Sequence, residues 1–125
     1  MSNEKLSSVI DPLLDLREQL RRFAAERDWD QFHLPKNLAI ALSVEAAELL
    51  ENFQWLSETD TKHLEKRKLE KVSEEMADVL LYLVRLADKL DVNLVDAAVR
   101  KIKLNALKYP VDKARGSNKK YSDFQ

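Results

Sequence analysis

The sequence predicts an all-α protein, a four-helix bundle in a single domain of residues 1 to 125, from two observations. First, its 125 residues include one glycine and three prolines, which are too few for the many tight turns of a sheet protein. Second, apolar residues recur every three or four positions in four long segments, as they do along one face of a helix. Short connections between these segments favour helices packed as neighbours in a bundle.

The first two helices are predicted over residues 12 to 26 and 35 to about 56. Asp11 followed by Pro12 places a capping side chain before a proline in the first helical position, and this combination starts helices. Pro35 starts the second helix in the same way. The stretch between them, RDWDQFHLPKN, breaks the apolar periodicity and is predicted to be a loop.

The third and fourth helices are predicted over residues 61 to 90 and 93 to 109. The first half of the third helix is highly charged and is expected to be exposed, whereas its second half, MADVLLYLVRLADKL, is apolar on nearly all sides. Asn93 caps the fourth helix and Pro110 ends it. Three neighbours within one chain cannot cover a helix that is apolar all round, so we expect a homodimer or a homotetramer.

Composition and charge exclude several classes of protein. The net charge of -1 does not favour nucleic acid or a membrane surface as a partner. The absence of cysteine excludes a disulfide framework and fits a cytoplasmic protein. No apolar run approaches the ~20 residues that a membrane-spanning helix needs. Residues 1 to 10 lack the pattern of a secretory signal and are expected to form a flexible arm, while residues 110 to 125 form a basic tail.

Two pairs of acidic residues lie on the apolar faces of the second and third helices. The pairs are Glu45 with Glu48 and Glu75 with Asp78, each spaced three residues apart. Because a helix turns by about 100° per residue, Glu45 falls in the middle of a stripe of leucines, and Glu48 lies about 60° to one side. Glu75 has the same central place on the third helix, with Asp78 beside it.

Four converging carboxylates favour a divalent metal ion. An ionised carboxylate is costly to bury alone, and the apolar faces of these helices carry no lysine or arginine near Glu45. A single ExxE pattern is common on exposed helices, but two such pairs on apolar faces favour metal binding. Oxygen ligands alone favour Mg²⁺, or Mn²⁺, over iron or zinc. Di-iron bundles instead pair their carboxylates with Glu-x-x-His, which neither pair matches.

Basic and aromatic residues form the other candidate groups. A polar stripe on the fourth helix, continued by basic residues in the tail, suits the oxygens of a triphosphate, although a solvated helix face has the same pattern. This group comprises Lys101, Asn105, Lys108, Arg115, Lys119 and Lys120. Trp29, Trp55 and Tyr82 can each be core residues, but aromatic rings near an anionic metal site can also stack a nucleobase.

These residues lie in segments that resemble a known family. SVEAAELLENFQW and EEMADVLLYLV are similar to the paired ExxE and ExxD motifs of the MazG-like, all-α nucleoside triphosphate pyrophosphohydrolases. FAAERDWDQFHLPKNLAIAL and KYPVDKARGSNKKY resemble the dCTP pyrophosphatase branch of that family. The resemblance implies hydrolysis of a nucleoside triphosphate, expected to be dCTP or a modified dCTP, to the monophosphate and pyrophosphate. It also implies dimers or dimers of dimers.

The resemblance also implies roles for individual residues. The expected metal ligands are Glu45, Glu48, Glu75 and Asp78. Glu48 and Glu45 are the catalytic candidates among them, and Glu48 is expected to orient or deprotonate the attacking water. Base and sugar binding falls to Trp29, Trp55 and Tyr82, together with His33. The tail that closes over the phosphates contains Lys113, Arg115, Lys119, Lys120 and Tyr121. One departure is Leu20, where vertebrate members of the branch have a histidine near the base, which weakens the expectation of a strict cytosine preference.

Two alternatives stay open at the level of the sequence. The first is a related enzyme that acts on dUTP or another non-standard nucleoside triphosphate. The second is a non-enzymatic helical module whose acidic stripes bind a basic partner or Ca²⁺. The main interpretation is an enzyme that removes unwanted nucleotides or controls their pool, a house-cleaning role.

Overall fold

The computed structural model describes residues 11–124, which contain α-helices, two 3-10 turns and no β-strand. The all-α prediction is confirmed, and the predicted flexible arm lies outside the described residues. The elements in order are α1 (Pro12–Glu26), a 3-10 turn (Asp30–Phe32), α2 (Pro35–Glu51), α3 (Glu58–Lys62), α4 (Lys66–Lys89), α5 (Leu94–Lys108), α6 (Val111–Ala114) and a second 3-10 turn (Tyr121–Phe124). The chain divides into two compact units, the first ending at Asp91 and the second beginning at Val92, and the single domain over residues 1 to 125 stays a prediction.

Three helices, α1, α2 and α5, begin where the sequence predicts, and side chains cap two of them. The Asp11 carboxylate accepts hydrogen bonds from the backbone N–H groups of Leu13, at 2.8 Å, and Leu14, at 3.4 Å. The side-chain oxygen of Asn93 accepts from the backbone N–H of Asp96 at 3.0 Å. Both caps satisfy donors that have no partner inside the helix, so the starts of α1 and α5 follow from local sequence.

The predicted end of the second helix is wrong, because α2 ends at Glu51. The Asn52 side-chain amide donates to the backbone carbonyl of Glu48 at 3.1 Å, and the Asn52 backbone N–H turns to the carbonyl of Leu49 at 3.2 Å. The side chain thus occupies the carbonyl that a continuing α-helix would have used. Residues 52 to 55 form a turn.

The predicted start of the third helix is also wrong, because α4 begins only at Lys66. Ser57 and Asp60 form a capping box that starts the separate short helix α3. The Ser57 hydroxyl accepts from the Asp60 backbone N–H at 3.1 Å, and the Asp60 carboxylate accepts from the Ser57 N–H at 3.4 Å. A second start signal therefore precedes the long helix and divides the predicted segment into two helices.

The core of the first unit lies along α4, which packs against both α2 and α1. Its buried apolar side chains are Ala24, Leu38, Val72, Val84 and Ala87. Leu38 on α2 is the most deeply buried large side chain, at 2% exposure. This packing turns the inner faces of α2 and α4, and the carboxylates on them, toward each other.

The chain makes two of its helix ends without glycine. Asp28 follows α1 and Asp91 follows α4, with φ angles of 52° and 54°. Both lie in the left-handed region, which aspartate tolerates better than most residues because its side chain can bond locally. The low glycine content therefore does not prevent sharp reversals after long helices.

The second unit contains α5, α6 and the final 3-10 turn. Tyr109 and Tyr121 pack edge to face with ring centroids 6.3 Å apart, and the Lys108 ammonium lies 5.0 Å from the centre of the Tyr121 ring. These contacts hold the basic tail against the end of α5. Between residues 11 and 124, none of the helices has both the length and the apolar composition that crossing a bilayer would need.

Candidate active site

Three of the predicted metal ligands meet where α2 packs on α4. One carboxylate oxygen from each of Glu45, Glu48 and Glu75 lies within 4.8 Å of the other two. All three side chains are half-buried. Residues three apart share a face of a helix, so α2 supplies two carboxylates and the facing turn of α4 supplies the third.

Two oxygens in this cluster have no hydrogen-bond partner. Oε2 of Glu45 and Oε2 of Glu75 are buried, and nothing within residues 11–124 donates to either atom. Burial, together with the neighbouring carboxylates of Glu48, Asp78 and Glu75, raises the pKa of Glu45 to about 7. A buried carboxylate without a donor is costly, so the metal-free cluster tends to hold a proton near neutral pH.

The donor set of the cluster fits a hard divalent cation. Its side chains offer oxygen atoms alone, and no lysine or arginine in the described part of the chain pairs with them. A cation here would neutralise the carboxylates and supply the missing partner for both unpaired oxygens. The fourth predicted ligand, Asp78, lies outside this close group and is exposed.

A cavity of about 330 Å³ has one of the four predicted metal ligands, Asp78, in its wall. Its walls come from α1, the loop before α2, and α4, and they consist of Leu20, Phe23, Trp29, His33, Asp78, Leu81, Tyr82 and Arg85. Three predicted substrate-binding residues, Trp29, His33 and Tyr82, therefore line one cavity. Asp78 belongs to the same wall, and its carboxylate is near enough to Glu45 to raise that residue's pKa.

The aromatic side chains in the cavity support one another. The Trp29 ring packs edge-on against Phe23, with centroids 5.8 Å apart, and edge-on against His33, with centroids 6.4 Å apart. Leu20 lines the cavity as well, so the departure noted in the sequence falls in this wall. An apolar cavity with an acidic residue in its wall suits a flat ring attached to an anionic group that binds a metal.

A network of charged side chains lies next to the cavity, near the C-terminal end of α4. Arg85 is only 5% exposed and donates to Nδ1 of His33 at 3.1 Å, to Asp88 at 3.3 Å and to Asp30 at 2.5 Å. Lys89 also donates to Asp30, at 2.5 Å. These hydrogen bonds connect α4 to the loop that carries Trp29 and His33.

The same network lowers three pKa values. The hydrogen bond from Lys89, assisted by Arg85, lowers the pKa of Asp30. Arg21 on α1 donates to both carboxylate oxygens of Asp88, at 2.8 and 2.6 Å, and this bond lowers the pKa of Asp88. Burial, followed by the positive charges of Arg85 and Lys89, lowers the pKa of His33. The imidazole is therefore neutral at physiological pH.

The remaining predicted residues are not among those that line this cavity. Trp55 is in the turn after α2 and is 87% exposed. The polar and basic residues of the second unit are exposed on α5 and in the tail, namely Lys101, Asn105, Lys108, Arg115, Lys119, Lys120 and Tyr121. Their role at the phosphates stays a prediction. The sequence did not single out Phe23, Leu81 or Arg85 as site residues, although Arg85 follows Asp78 and Tyr82 on one helical stripe.

Two packed helices carry paired acidic motifs, and a cavity lined by aromatic side chains lies beside them. These are the features expected from the family that the sequence resembles. The chain belongs to the MazG-like family, whose model matches residues 40–124. The resemblance found in the sequence is thereby confirmed.

Particular relatives carry a more specific name. The chain is 45% identical to dCTP pyrophosphatase 1 of Mus musculus over 114 residues, which cover 90% of this chain and 67% of the relative. It is 43% identical to dCTP pyrophosphatase 1 of Homo sapiens, with the same coverage of both chains. Among solved structures, a pyrophosphatase from Archaeoglobus fulgidus DSM 4304 is 42% identical, with a TM-score of 0.76, and the match covers 81% of this chain and 94% of that one.

Proposed function

We propose that this protein is a nucleoside triphosphate pyrophosphohydrolase that converts dCTP, or a modified dCTP, to the monophosphate and pyrophosphate. The observation that carries the proposal is the cluster of Glu45, Glu48 and Glu75, two of whose buried oxygens lack a partner, beside an aromatic cavity. The relatives named dCTP pyrophosphatase 1 support the reaction and the substrate class. The reaction is hydrolysis of a phosphorus-containing anhydride.

We assign the metal site to Glu45, Glu48, Glu75 and Asp78, and Mg²⁺ is the expected ion, with Mn²⁺ as a substitute. All of these ligands are oxygens, as both ions prefer. When bound, the ion supplies positive charge that offsets the triphosphate and polarises the phosphoryl group under attack.

We assign the remaining roles to side chains of the protein itself. Glu48, one of the three carboxylates of the cluster, orients the attacking water and accepts its proton. Trp29 and Tyr82 hold the base in the cavity by stacking and apolar contact. Lysine and arginine side chains of α5 and the tail stabilise the departing pyrophosphate.

One observation favours the related enzyme as a second candidate. Leu20 lines the cavity and offers no hydrogen bond to the edge of a base. A base pocket without that polar contact discriminates less strongly between pyrimidines. A substrate such as dUTP or another non-standard nucleoside triphosphate is therefore the alternative to dCTP.

Pyrophosphate release from a panel of nucleoside triphosphates tests this proposal. With Mg²⁺ we expect release, fastest with dCTP or a modified dCTP, and EDTA should abolish it because no substitute for the ion's charge exists in the cluster. A faster reaction with dUTP or another nucleotide would select the related enzyme. No release from any nucleotide would favour the non-enzymatic helical module. The cytoplasmic location and the house-cleaning role stay predictions.

We also propose that a second copy of this chain covers exposed apolar residues on α4. Leu69, Met76, Leu80 and Leu83 follow one another at intervals of seven, four and three residues, and they are 52%, 56%, 38% and 37% exposed. Such spacing forms a continuous seam on one side of a helix. An apolar seam of this length favours association, and a symmetric dimer or a dimer of dimers would bury it.

A charge placed in this seam should separate the copies. We expect Leu80→Glu to shift the protein from a dimer or tetramer toward monomer in sedimentation velocity, because the introduced carboxylate would be buried without a partner. Lys71→Glu is the matched control, since Lys71 is an exposed residue on another side of α4. An assembly of unchanged mass in Leu80→Glu would contradict the proposed interface.

A further inference from the structure

Arg85 is a buried cation in the largely apolar second half of α4. Every polar hydrogen of a guanidinium group is a donor, and the group has no acceptor. The contact between Nε of Arg85 and Nδ1 of His33, at 3.1 Å, therefore needs a lone pair on Nδ1. It follows that His33 is neutral and carries its proton on Nε2.

The other ring nitrogen of His33 is available to a ligand. Within residues 11–124 no group hydrogen-bonds to Nε2, and the half-buried His33 lines the cavity. Trp29 packs edge-on against the ring with an interplanar angle of 64°, which limits how the imidazole can turn. The Nε2–H group is thus a hydrogen-bond donor without a partner in the wall of the cavity.

We propose that Arg85 is a positioning residue for nucleotide recognition, because it fixes His33 as a neutral Nε2–H donor toward an acceptor atom of the bound nucleoside. The acceptor is a base carbonyl oxygen, an unprotonated ring nitrogen or a sugar oxygen. The inference rests on the proposed function, since it requires that the cavity receives the nucleoside part of the substrate.

The surroundings of Arg85 suit this role. Asp30 and Asp88 balance its charge, so the guanidinium can stay buried without weakening the fold. Without Arg85, an imidazole exchanges its proton between the two nitrogens and presents an acceptor to the cavity for part of the time. Protonation of His33 would set an N–H group against the Nε–H of Arg85, and burial with the charges of Arg85 and Lys89 lowers the pKa of His33 accordingly.

Arg85→Met is the main test, with Lys89→Met as the matched control. Lys89 donates to the same Asp30 as Arg85 does, but it does not contact His33. In the ¹⁵N spectrum of the imidazole of metal-free protein, we expect the Nε2–H tautomer in the wild type and in Lys89→Met, and a mixture of tautomers in Arg85→Met. Arg85→Lys keeps the positive charge beside Asp30 and Asp88 and can still donate from its ammonium group, so it should give less of the second tautomer than Arg85→Met does.

The kinetic signature separates positioning from general stability. For the nucleotide that the wild type hydrolyses best, Arg85→Met should raise KM about tenfold and leave kcat within about twofold, because the His33 ring then loses both its fixed orientation and its single tautomer, which weakens one hydrogen bond to the substrate. Lys89→Met should leave both constants within about twofold, since Asp30 keeps its hydrogen bond to Arg85. In a His33→Ala background the Arg85→Met substitution should add nothing to KM, because it acts through the absent ring.

Each result decides the proposal. A single Nε2–H tautomer in Arg85→Met, an unchanged KM, or the same increase in KM in the His33→Ala background would overturn the role of Arg85. A wild-type protein that hydrolyses no nucleotide would overturn the proposed function and this role with it. An active wild type together with an insensitive Arg85→Met would overturn the role of Arg85 alone.

Discussion

Glu48→Gln is expected to fold normally and to lose about 10²- to 10⁴-fold in kcat, the usual contribution of a general base. Glutamine keeps the size of the side chain but cannot accept a proton from water. Glu48 is one of the three carboxylates that meet within 4.8 Å, so the substitution also removes one negative charge from the proposed metal site. Pyrophosphate release at saturating nucleotide and Mg²⁺ measures the loss.

Glu51→Gln is the control for this substitution. Glu51 ends the same helix, three residues further on, and is exposed outside the cluster. The same chemical change there should leave kcat within about twofold, as substitutions away from the site usually do. Turnover near the wild-type value in Glu48→Gln would rule out the assigned role, whereas similar losses in both variants would point to a general effect of charge on α2.

The metal-free protein is expected to lose stability as the pH rises from about 4.5 to about 7. The pKa of Glu45 rises from 4.5 to about 7 in the folded protein, so the folded state holds more protons than the unfolded state between these values. Stability is therefore greatest below pH 4.5 as far as Glu45 is concerned, and its contribution is lost once the pH passes 7. Melting temperatures in EDTA at a series of pH values measure this dependence.

Mg²⁺ should reverse the loss above pH 7. A ligand that binds only the folded state at 100 times its Kd stabilises by about 2.7 kcal/mol, and ionised Glu45 is the form that binds metal. Glu45→Gln removes the titrating group, so it should flatten the pH dependence of the melting temperature and reduce the effect of Mg²⁺. A wild-type melting temperature that changes with neither pH nor Mg²⁺ would contradict the arrangement of the cluster.

Local sequence determines most of the helices but not all of their ends. The caps at Asp11 and Asn93 act within three residues along the chain, so a reader of the sequence can find them. The early end of α2 depends on whether the Asn52 amide bonds to the carbonyl of Glu48 or faces water. Both choices are open to an asparagine near a helix end, and burial decides between them.

The acidic cluster could be predicted because helical geometry relates residues three apart, and burial penalises the charges that result. The role of Arg85, by contrast, could not be predicted from helical geometry. Its place on the stripe of Asp78 and Tyr82 was visible, but its partners His33 and Asp30 are 52 and 55 residues away. Periodicity within one helix contains no information about which loop packs against it. The contribution of Arg85 to the cavity therefore needed the tertiary structure.

The short α2 has a consequence for how well Glu48 is held. Helix ends fray, and Glu48 is only three positions before the last residue of α2. The side chain of Asn52, itself 5% exposed, bonds to the carbonyl of Glu48 and so closes the last turn. Opening that turn would require unburying the amide. The backbone that carries Glu48, the proposed general base, can therefore stay as ordered as the middle of a longer helix, while the residues just beyond it form a turn.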